Sequence, residues 1–74
     1  MNYVDLFNGN NTSTWFCLSG MPDNPSQVMV TIDGSPMYYG HNFVLNGYYL
    51  GFVDAPPEGQ DNIRAEYSGT SYDH

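Results

Sequence analysis

Four aspartates are the residues of this chain best placed to do chemistry, and their spacing argues against it. Asp5, Asp33, Asp54 and Asp61 could pair as catalytic acids or bind calcium. Calcium loops repeat Asp or Asn at alternate positions before a glycine, and the sequence contains no such run. Asp also favours turns, because its carboxylate bonds to nearby backbone N–H groups. We therefore predict that these aspartates shape turns and that no metal is bound.

A nucleophilic thiol is the second chemical candidate. Cys17 is the single cysteine, so no disulfide can form within the chain, and His41 is a candidate base for it. A reactive thiolate needs a positioned base and a cationic setting, whereas Arg64 is the single fixed cation and no motif joins Cys17 to His41. One cysteine and two distant histidines, His41 and His74, also lack the spacing of zinc ligands. The sequence predicts a protein that is not an enzyme and has no cofactor.

The charge balance excludes two classes of partner. The 74 residues include eight acidic and one basic side chain, which gives a net charge of −7 with neutral histidines. Binding to nucleic acid or to an anionic membrane needs clustered Lys and Arg, so neither partner is expected. No stretch approaches the roughly 20 apolar residues of a membrane span. An acidic surface can imitate nucleic acid, so an inhibitor of a host enzyme stays open as a minor alternative.

Glycine, proline and strand-forming residues together predict an all-β domain. Eight Gly and five Pro separate short runs of Val, Ile, Thr, Tyr and Phe. The clearest strand covers residues 27–33, where Val28, Val30 and Ile32 share one face. Asp33-Gly34 and Asn46-Gly47 each predict a tight hairpin turn. No stretch free of Gly and Pro shows the apolar period of a helix.

The predicted architecture is a small antiparallel β-sandwich or open barrel of about six short strands. We expect one β domain over residues 1–67 and a short polar C-terminal tail over residues 68–74. A chain of this length buries only about 60% of its unfolded surface, so oligomerisation or docking onto a larger body is expected. The expected core is Phe7, Phe16, Leu18, Val28, Val30, Ile32, Phe43, Leu45, Leu50, Phe52, Ile63 and Tyr67.

Aromatic residues are abundant, with seven Tyr, four Phe and one Trp. The two-residue period that directs Phe16 inward directs Trp15 outward, and the same parity places Met29 and Tyr49 on outer faces. Interface cores are rich in Tyr, Trp and Met, although partial cover by loops is the alternative explanation. The candidate partner-binding residues are Trp15, Met29, Tyr39, Tyr49 and, as an anchor in the tail, Tyr72.

An ordered series of motifs covers residues 7–67. In chain order the motifs are Phe7-Asn8-Gly9, Phe16-Cys17-Leu18, Val28-Met29-Val30-Thr31-Ile32-Asp33-Gly34, Phe43-Val44-Leu45-Asn46-Gly47, Leu50-Gly51-Phe52-Val53-Asp54-Ala55-Pro56-Pro57-Glu58-Gly59 and Ile63-Arg64-Ala65-Glu66-Tyr67. This order resembles the small β-rich module of tailed-bacteriophage virion proteins, which include tail fibres, tailspikes and head appendages. Asn10-Asn11 departs from the Gly-containing turn of that module, and Tyr38-Tyr39 and Tyr48-Tyr49 are unusual for it.

The resemblance implies a structural module on the surface of a phage particle. Its partners would be the major capsid protein or another virion protein, in a homo-oligomer or a multi-copy lattice. Fibre modules are normally repeats within long chains, whereas this sequence starts at Met1 and has 74 residues. We therefore expect a capsid decoration (cement) protein. The alternative is a tail-fibre or tail-tip adhesion module, in which Trp and Tyr would stack on a host receptor or glycan.

Overall fold

A computed structural model describes residues 2–70, which form eight β-strands. The strands are β1 (Asn2–Phe7), β2 (Trp15–Cys17), β3 (Met21–Pro22), β4 (Met29–Ile32), β5 (Ser35–Met37), β6 (Phe43–Asn46), β7 (Tyr49–Phe52) and β8 (Ile63–Thr70). Within these residues a single 3₁₀ turn, Pro25–Gln27, is the one helical element, and no helix is long and apolar enough to cross a membrane. The prediction of an all-β fold is confirmed.

The strands form two antiparallel sheets that are consistent with a small β-sandwich. The larger sheet has the order β1-β8-β4-β5, with β3 also paired to β8. The smaller sheet has the order β2-β7-β6. β8 is the organising strand, because it pairs with β1, β4 and β3, which come from three separate parts of the chain.

β8 extends further than the sequence indicated. The sequence predicts a strand that ends at Tyr67, but β8 continues to Thr70, because Met21–Pro22 pairs with its last two residues. Gly69 permits this approach, since a Cβ atom there would lie 2.4 Å from the carbonyl oxygen of Met21. The expected boundary between residues 67 and 68 therefore falls inside a strand. Residues 71–74, which include the candidate anchor Tyr72, lie outside the described part of the chain.

The two hairpin turns differ in how well the sequence located them. Asp33-Gly34 has φ angles of 53° and 83°, as a type I′ turn requires, and it joins β4 to β5 where the sequence predicted a turn. The second turn is centred on Gly47-Tyr48, because Asn46 pairs with Tyr49 across it. Gly47, with a φ of 63°, occupies the first central position, where type II′ turns need glycine.

The core lies between the two sheets. Its buried residues are Leu18, Val28, Val30, Phe43, Leu50, Phe52, Ile63, Ala65 and Tyr67. Eight of the twelve predicted core residues are in this set, and the other four, Phe7, Phe16, Ile32 and Leu45, are partly buried and pack against it. The sequence missed Ala65, whose small side chain is fully buried in β8. The predicted inward faces of the strands are therefore confirmed.

Polar contacts fasten the segment after β1 to the loop before β8. The Gly9 N–H donates to Asn62 Oδ1 at 2.8 Å, and Asn62 Nδ2 donates to the Pro57 carbonyl at 2.9 Å. A Cβ atom on Gly9 would lie 2.1 Å from the Pro57 oxygen, so this position admits only glycine. Asn8 Oδ1 accepts the Asp61 N–H at 2.7 Å. Two motifs that are distant in the sequence thus meet at one corner of the fold.

Candidate interaction surface

The outer face of the smaller sheet carries a group of exposed apolar side chains. Trp15 and Cys17 come from β2, Val44 from β6 and Tyr49 from β7. The strand register places Trp15 and Val44 on either side of Gly51, and Cys17 beside Tyr49. Trp15, Val44 and Tyr49 keep 53%, 44% and 46% of their surface exposed. We call Trp15, Cys17, Val44 and Tyr49 the aromatic sheet face.

Gly51 supports the tryptophan of this face. A Cβ atom at Gly51 would lie between 2.6 and 2.8 Å from the Cζ3, Cη2 and Cε3 atoms of Trp15. The six-membered part of the indole therefore covers the backbone of β7, and Gly51 is buried although it points to the outside of the sheet. The absence of a side chain at Gly51 allows the indole to lie against the sheet.

The Gly51→Ala variant tests this arrangement. The added methyl group is expected to displace the Trp15 ring, shift its native fluorescence emission towards that of exposed indole and lower the free energy of unfolding by about 1–3 kcal/mol. Trp15 is the single tryptophan of the chain, so emission reports on this site alone. Gly34→Ala is the control for the emission, because nothing lies within 4 Å of its added methyl group. It is not a control for the free energy of unfolding, because alanine is strained at the Gly34 φ of 83°. Unchanged native emission in Gly51→Ala would contradict the proposed support.

Met29 lies away from the aromatic sheet face. It belongs to β4 in the larger sheet, where it pairs with Glu66 of β8, and Glu66 pairs in turn with Val4 of β1. Met29 is 66% exposed, so its predicted outward direction is correct. The structure nevertheless separates it from Trp15 and Tyr49, because these residues lie on the outer faces of different sheets.

Tyr39 lies in the loop between β5 and β6. Its ring packs edge-on against Phe43 at a centroid distance of 5.8 Å, and 42% of the residue is exposed. Together with Tyr38 and Met29 it lines a shallow groove of about 240 Å³ beside β4 and β5. The candidate residues therefore fall into two groups, Trp15 with Tyr49 and Tyr39 with Met29. Tyr72, the fifth candidate, lies outside the described residues.

Val44 is the member of the aromatic sheet face that the sequence interpretation missed. The residues on either side of it, Phe43 and Leu45, were predicted to face the core. The two-residue period therefore already directed Val44 outward. Its position beside Gly51, and hence near Trp15, depends on the pairing of β6 with β7.

Asp5 has a different role from the one predicted. It lies within β1, not in a turn, and its carboxylate accepts the Ser19 N–H at 3.0 Å and the Ser19 hydroxyl. The Tyr67 hydroxyl donates to Asp5 Oδ2 at 2.7 Å and accepts the Gly20 N–H at 3.0 Å. We call Asp5, Ser19, Gly20 and Tyr67 the polar clasp, which fastens β1 to the segment after β2.

The polar clasp perturbs one ionisable group. Tyr67 is 4% exposed. Burial, and after it the hydrogen bond to Asp5, raises the pKa of the Tyr67 hydroxyl well above its ordinary value.

Unlike Asp5, Asp33 and Asp61 have the backbone conformation of turn residues, as predicted. Their φ angles of 53° and 51° are in the left-handed region that Asp adopts in turns. Asp5 does not shape a turn, because strand parity directs its side chain inward, towards donors on two other segments.

Neither chemical candidate forms a reactive cluster in residues 2–70. Cys17 lies on the exposed face of β2, and its thiol contacts the Leu18 carbonyl at 3.6 Å. His41 lies in the loop after β5, in a turn where its N–H donates to the Tyr38 carbonyl. Within the described residues no group of three or more His, Cys, Asp and Glu side chains is arranged to hold a metal ion.

Comparison with protein-family models, curated proteins and solved structures found no match to this chain. Support for a function therefore comes from the sandwich, its exposed faces and its charge, together with the order of motifs in the sequence.

Proposed function

We propose that this chain is a structural protein of a tailed-bacteriophage particle, a capsid decoration protein that binds the capsid lattice through the aromatic sheet face. The order of motifs from Phe7 to Tyr67 supports the assignment to a virion module. The contacts of Gly9 with Pro57 and Asn62 give two of those motifs a shared structural role. The aromatic sheet face supplies the surface for a partner.

The composition of the smaller sheet is the observation that carries this proposal. Its three strands contain no charged residue, and Trp15, Val44 and Tyr49 lie exposed on its outer face. Interface cores are rich in aromatic residues and poor in charged ones. The larger sheet instead presents an ion pair on its outer face, in which Arg64 Nη1 and Glu66 Oε1 are 3.1 Å apart. The smaller sheet is therefore the better docking face.

The test is the occupancy of the protein on purified particles. Trp15→Ser is expected to lower the affinity for particles by about thirtyfold or more, because a central aromatic anchor commonly contributes at least 2 kcal/mol. Tyr38→Ser is the matched control, since Tyr38 is 61% exposed but lies outside the aromatic sheet face. Circular dichroism should show that both variants are folded. Equal occupancy of the two variants would contradict docking through this face.

A contact between the C-terminal tail and a neighbouring subunit is a separate prediction. Residues 71–74 lie outside the described part of the chain, and Ser68–Thr70 belongs to β8. A truncation after Thr70 therefore tests the tail and its Tyr72 without removing a paired strand. Reduced occupancy would support an arm that contacts a neighbour, and unchanged occupancy would remove the arm from the proposal. Heat or osmotic challenge of particles with and without the whole protein separates cementing from decoration alone.

A tail-tip adhesion module is the second candidate, and the position of Trp15 favours it. An indole ring that lies against Gly51 beside Tyr49 offers an aromatic platform on which a sugar ring can stack. Imaging of intact particles separates the two candidates, because decoration gives dense lattice copies and adhesion gives a few copies at the tail. A change in Trp15 emission on addition of host surface polysaccharide would favour adhesion.

A further inference from the structure

The edge of the larger sheet formed by β1 is open. β1 is a terminal strand of the sheet, and it pairs with β8 without interruption from Asn2–Ser68 to Phe7–Ile63. Outside that ladder, no backbone hydrogen bond within residues 2–70 involves β1. An edge of six residues is long enough for a further strand to pair with it.

The hydrogen-bond alternation shows which main-chain groups face this open edge. The Asp33 N–H donates to the Asn62 carbonyl at 2.8 Å, which continues the pairing of β4 with β8. In an antiparallel ladder, alternate residues direct their N–H and C=O groups to opposite sides. The main-chain N–H and C=O groups of Asn62 and of every second residue after it therefore point towards β4. Those of the residues between them point towards β1. By the same alternation, the main-chain N–H and C=O groups of Asp5 in β1 point towards β8, whereas those of Val4 and Leu6 point towards the open edge.

The other edges are less accessible. In β5, Pro36 pairs with Thr31 at a position that directs its nitrogen outward, so this edge lacks an N–H donor. The start of β6 is covered, because the Gly40 N–H donates to the Phe43 carbonyl at 2.7 Å. β2 has only three residues. β1 is therefore the edge that remains suited to strand addition.

The side chains of β1 define what could pair with it. Val4 and Leu6 are 50% and 52% exposed on the outer face of the sheet. Among the usual protections of an edge strand, β1 has no Lys, Pro or bulge, and the one it has is the inward-pointing charge of Asp5. Asp5 lies between Val4 and Leu6, and its side chain points inward. Its carboxylate can accept further hydrogen bonds beside those from Ser19 and Tyr67.

We propose that β1 accepts an extended strand of a partner protein, with apolar residues opposite Val4 and Leu6 and a Lys or Arg opposite Asp5. Directly opposed side chains in an antiparallel pair lie close enough for such an ion pair. The net charge of −7 favours a basic partner over a second copy of this chain. A second copy could offer only Arg64, which is already paired with Glu66. The site does not depend on where the protein lies on a particle.

A nuclear magnetic resonance titration tests this site. The probe is the acetylated and amidated peptide Thr-Val-Lys-Val-Thr, added to the isotope-labelled protein. Amide resonances of Val4 and Leu6 are expected to shift, with slower hydrogen exchange at both residues. The peptide Thr-Val-Glu-Val-Thr is the matched control, and its affinity is expected to be lower by about tenfold because it places like charges opposite each other.

Two variants separate edge pairing from other contacts. Val4→Pro removes one N–H from the open edge and leaves the bonds between Asp5 and β8 in place, so it is expected to weaken peptide binding by about tenfold. Val4→Thr keeps the N–H and is expected to bind more tightly than Val4→Pro. Circular dichroism of both variants checks that the sheet is intact, and Leu6→Pro repeats the test if Val4→Pro does not fold.

Three results would overturn the proposal. Shifts confined to Trp15 and Tyr49 would place the peptide on the aromatic sheet face. Concentration-dependent broadening of Val4 and Leu6 without peptide would identify a second copy as the occupant. No shift of any resonance at a saturating peptide concentration would show that β1 does not accept this strand.

Discussion

Replacement of Phe43 by alanine is expected to lower the free energy of unfolding by about 3–5 kcal/mol. Phe43 is fully buried, and its ring contacts the rings of Phe52 and Tyr39 at centroid distances of 6.4 and 5.8 Å. Small domains are often stable by only about 5 kcal/mol, so the variant is expected to keep at most about 2 kcal/mol and to be partly unfolded near room temperature. Urea unfolding followed by circular dichroism and by Trp15 emission measures the loss.

The next residue along β6 provides the control. Val44 lies on the opposite face of the same strand and is 44% exposed, whereas Phe43 has no exposed surface. Val44→Ala removes less apolar surface from a half-exposed site and is expected to cost less than about 1 kcal/mol. Similar losses for Phe43→Ala and Val44→Ala would show that the two faces of β6 are assigned wrongly, because a shift of one residue exchanges them.

The inward residues of the core could be predicted because strand parity is a local property. Val28, Val30 and Ile32 alternate with outward residues, so a single strand shows which of its faces is apolar. The structure has two strands more than the sequence indicated, β3 and β5, and each contains a proline. Proline argued against a strand at both places. Prolines are tolerated here because an edge position needs no N–H donor on its open side.

The composition of the candidate surface could not be predicted, because parity does not specify the sheet to which a strand belongs. Trp15 and Met29 both face outward as expected, but β2 and β4 lie in different sheets. The support from Gly51 depends on the register between β2 and β7, which links residues 36 positions apart. Such a contact has no signal within either strand.

The role of Asp5 could not be predicted either, because its contacts link distant parts of the sequence. Its partners Ser19 and Tyr67 are 14 and 62 residues away in the sequence. Asp in isolation indicates a turn, because its carboxylate usually bonds to nearby backbone groups. In β1 that tendency is overridden, since the pairing of β1 with β8 brings the carboxylate to the Tyr67 hydroxyl. Only the topology shows this contact.

Stability is expected to fall above pH 10 more steeply for the natural protein than for Tyr67→Phe. Burial and the hydrogen bond to Asp5 raise the pKa of Tyr67 in the folded state, whereas the unfolded chain keeps the ordinary value of about 10. Above that pH the unfolded state loses a proton that the folded state retains. The contribution of Tyr67 is therefore complete below pH 10 and declines, as pH rises, by up to about 1.4 kcal/mol for each pH unit.

Tyr67→Phe isolates this effect because it keeps the buried ring and its stacking on Tyr3, at a centroid distance of 5.4 Å, but removes the titrating hydroxyl. The other six tyrosines are present in both proteins and cancel in the comparison. At neutral pH the variant is expected to be less stable by about 2–4 kcal/mol, since Gly20 loses a hydrogen bond and the Asp5 carboxylate loses a charge-assisted one. Urea midpoints of the two proteins, measured at intervals from pH 8 to pH 12, should therefore converge as the pH rises. Parallel curves would show that the Tyr67 hydroxyl titrates alike in the folded and unfolded chains, and that the polar clasp does not hold its proton.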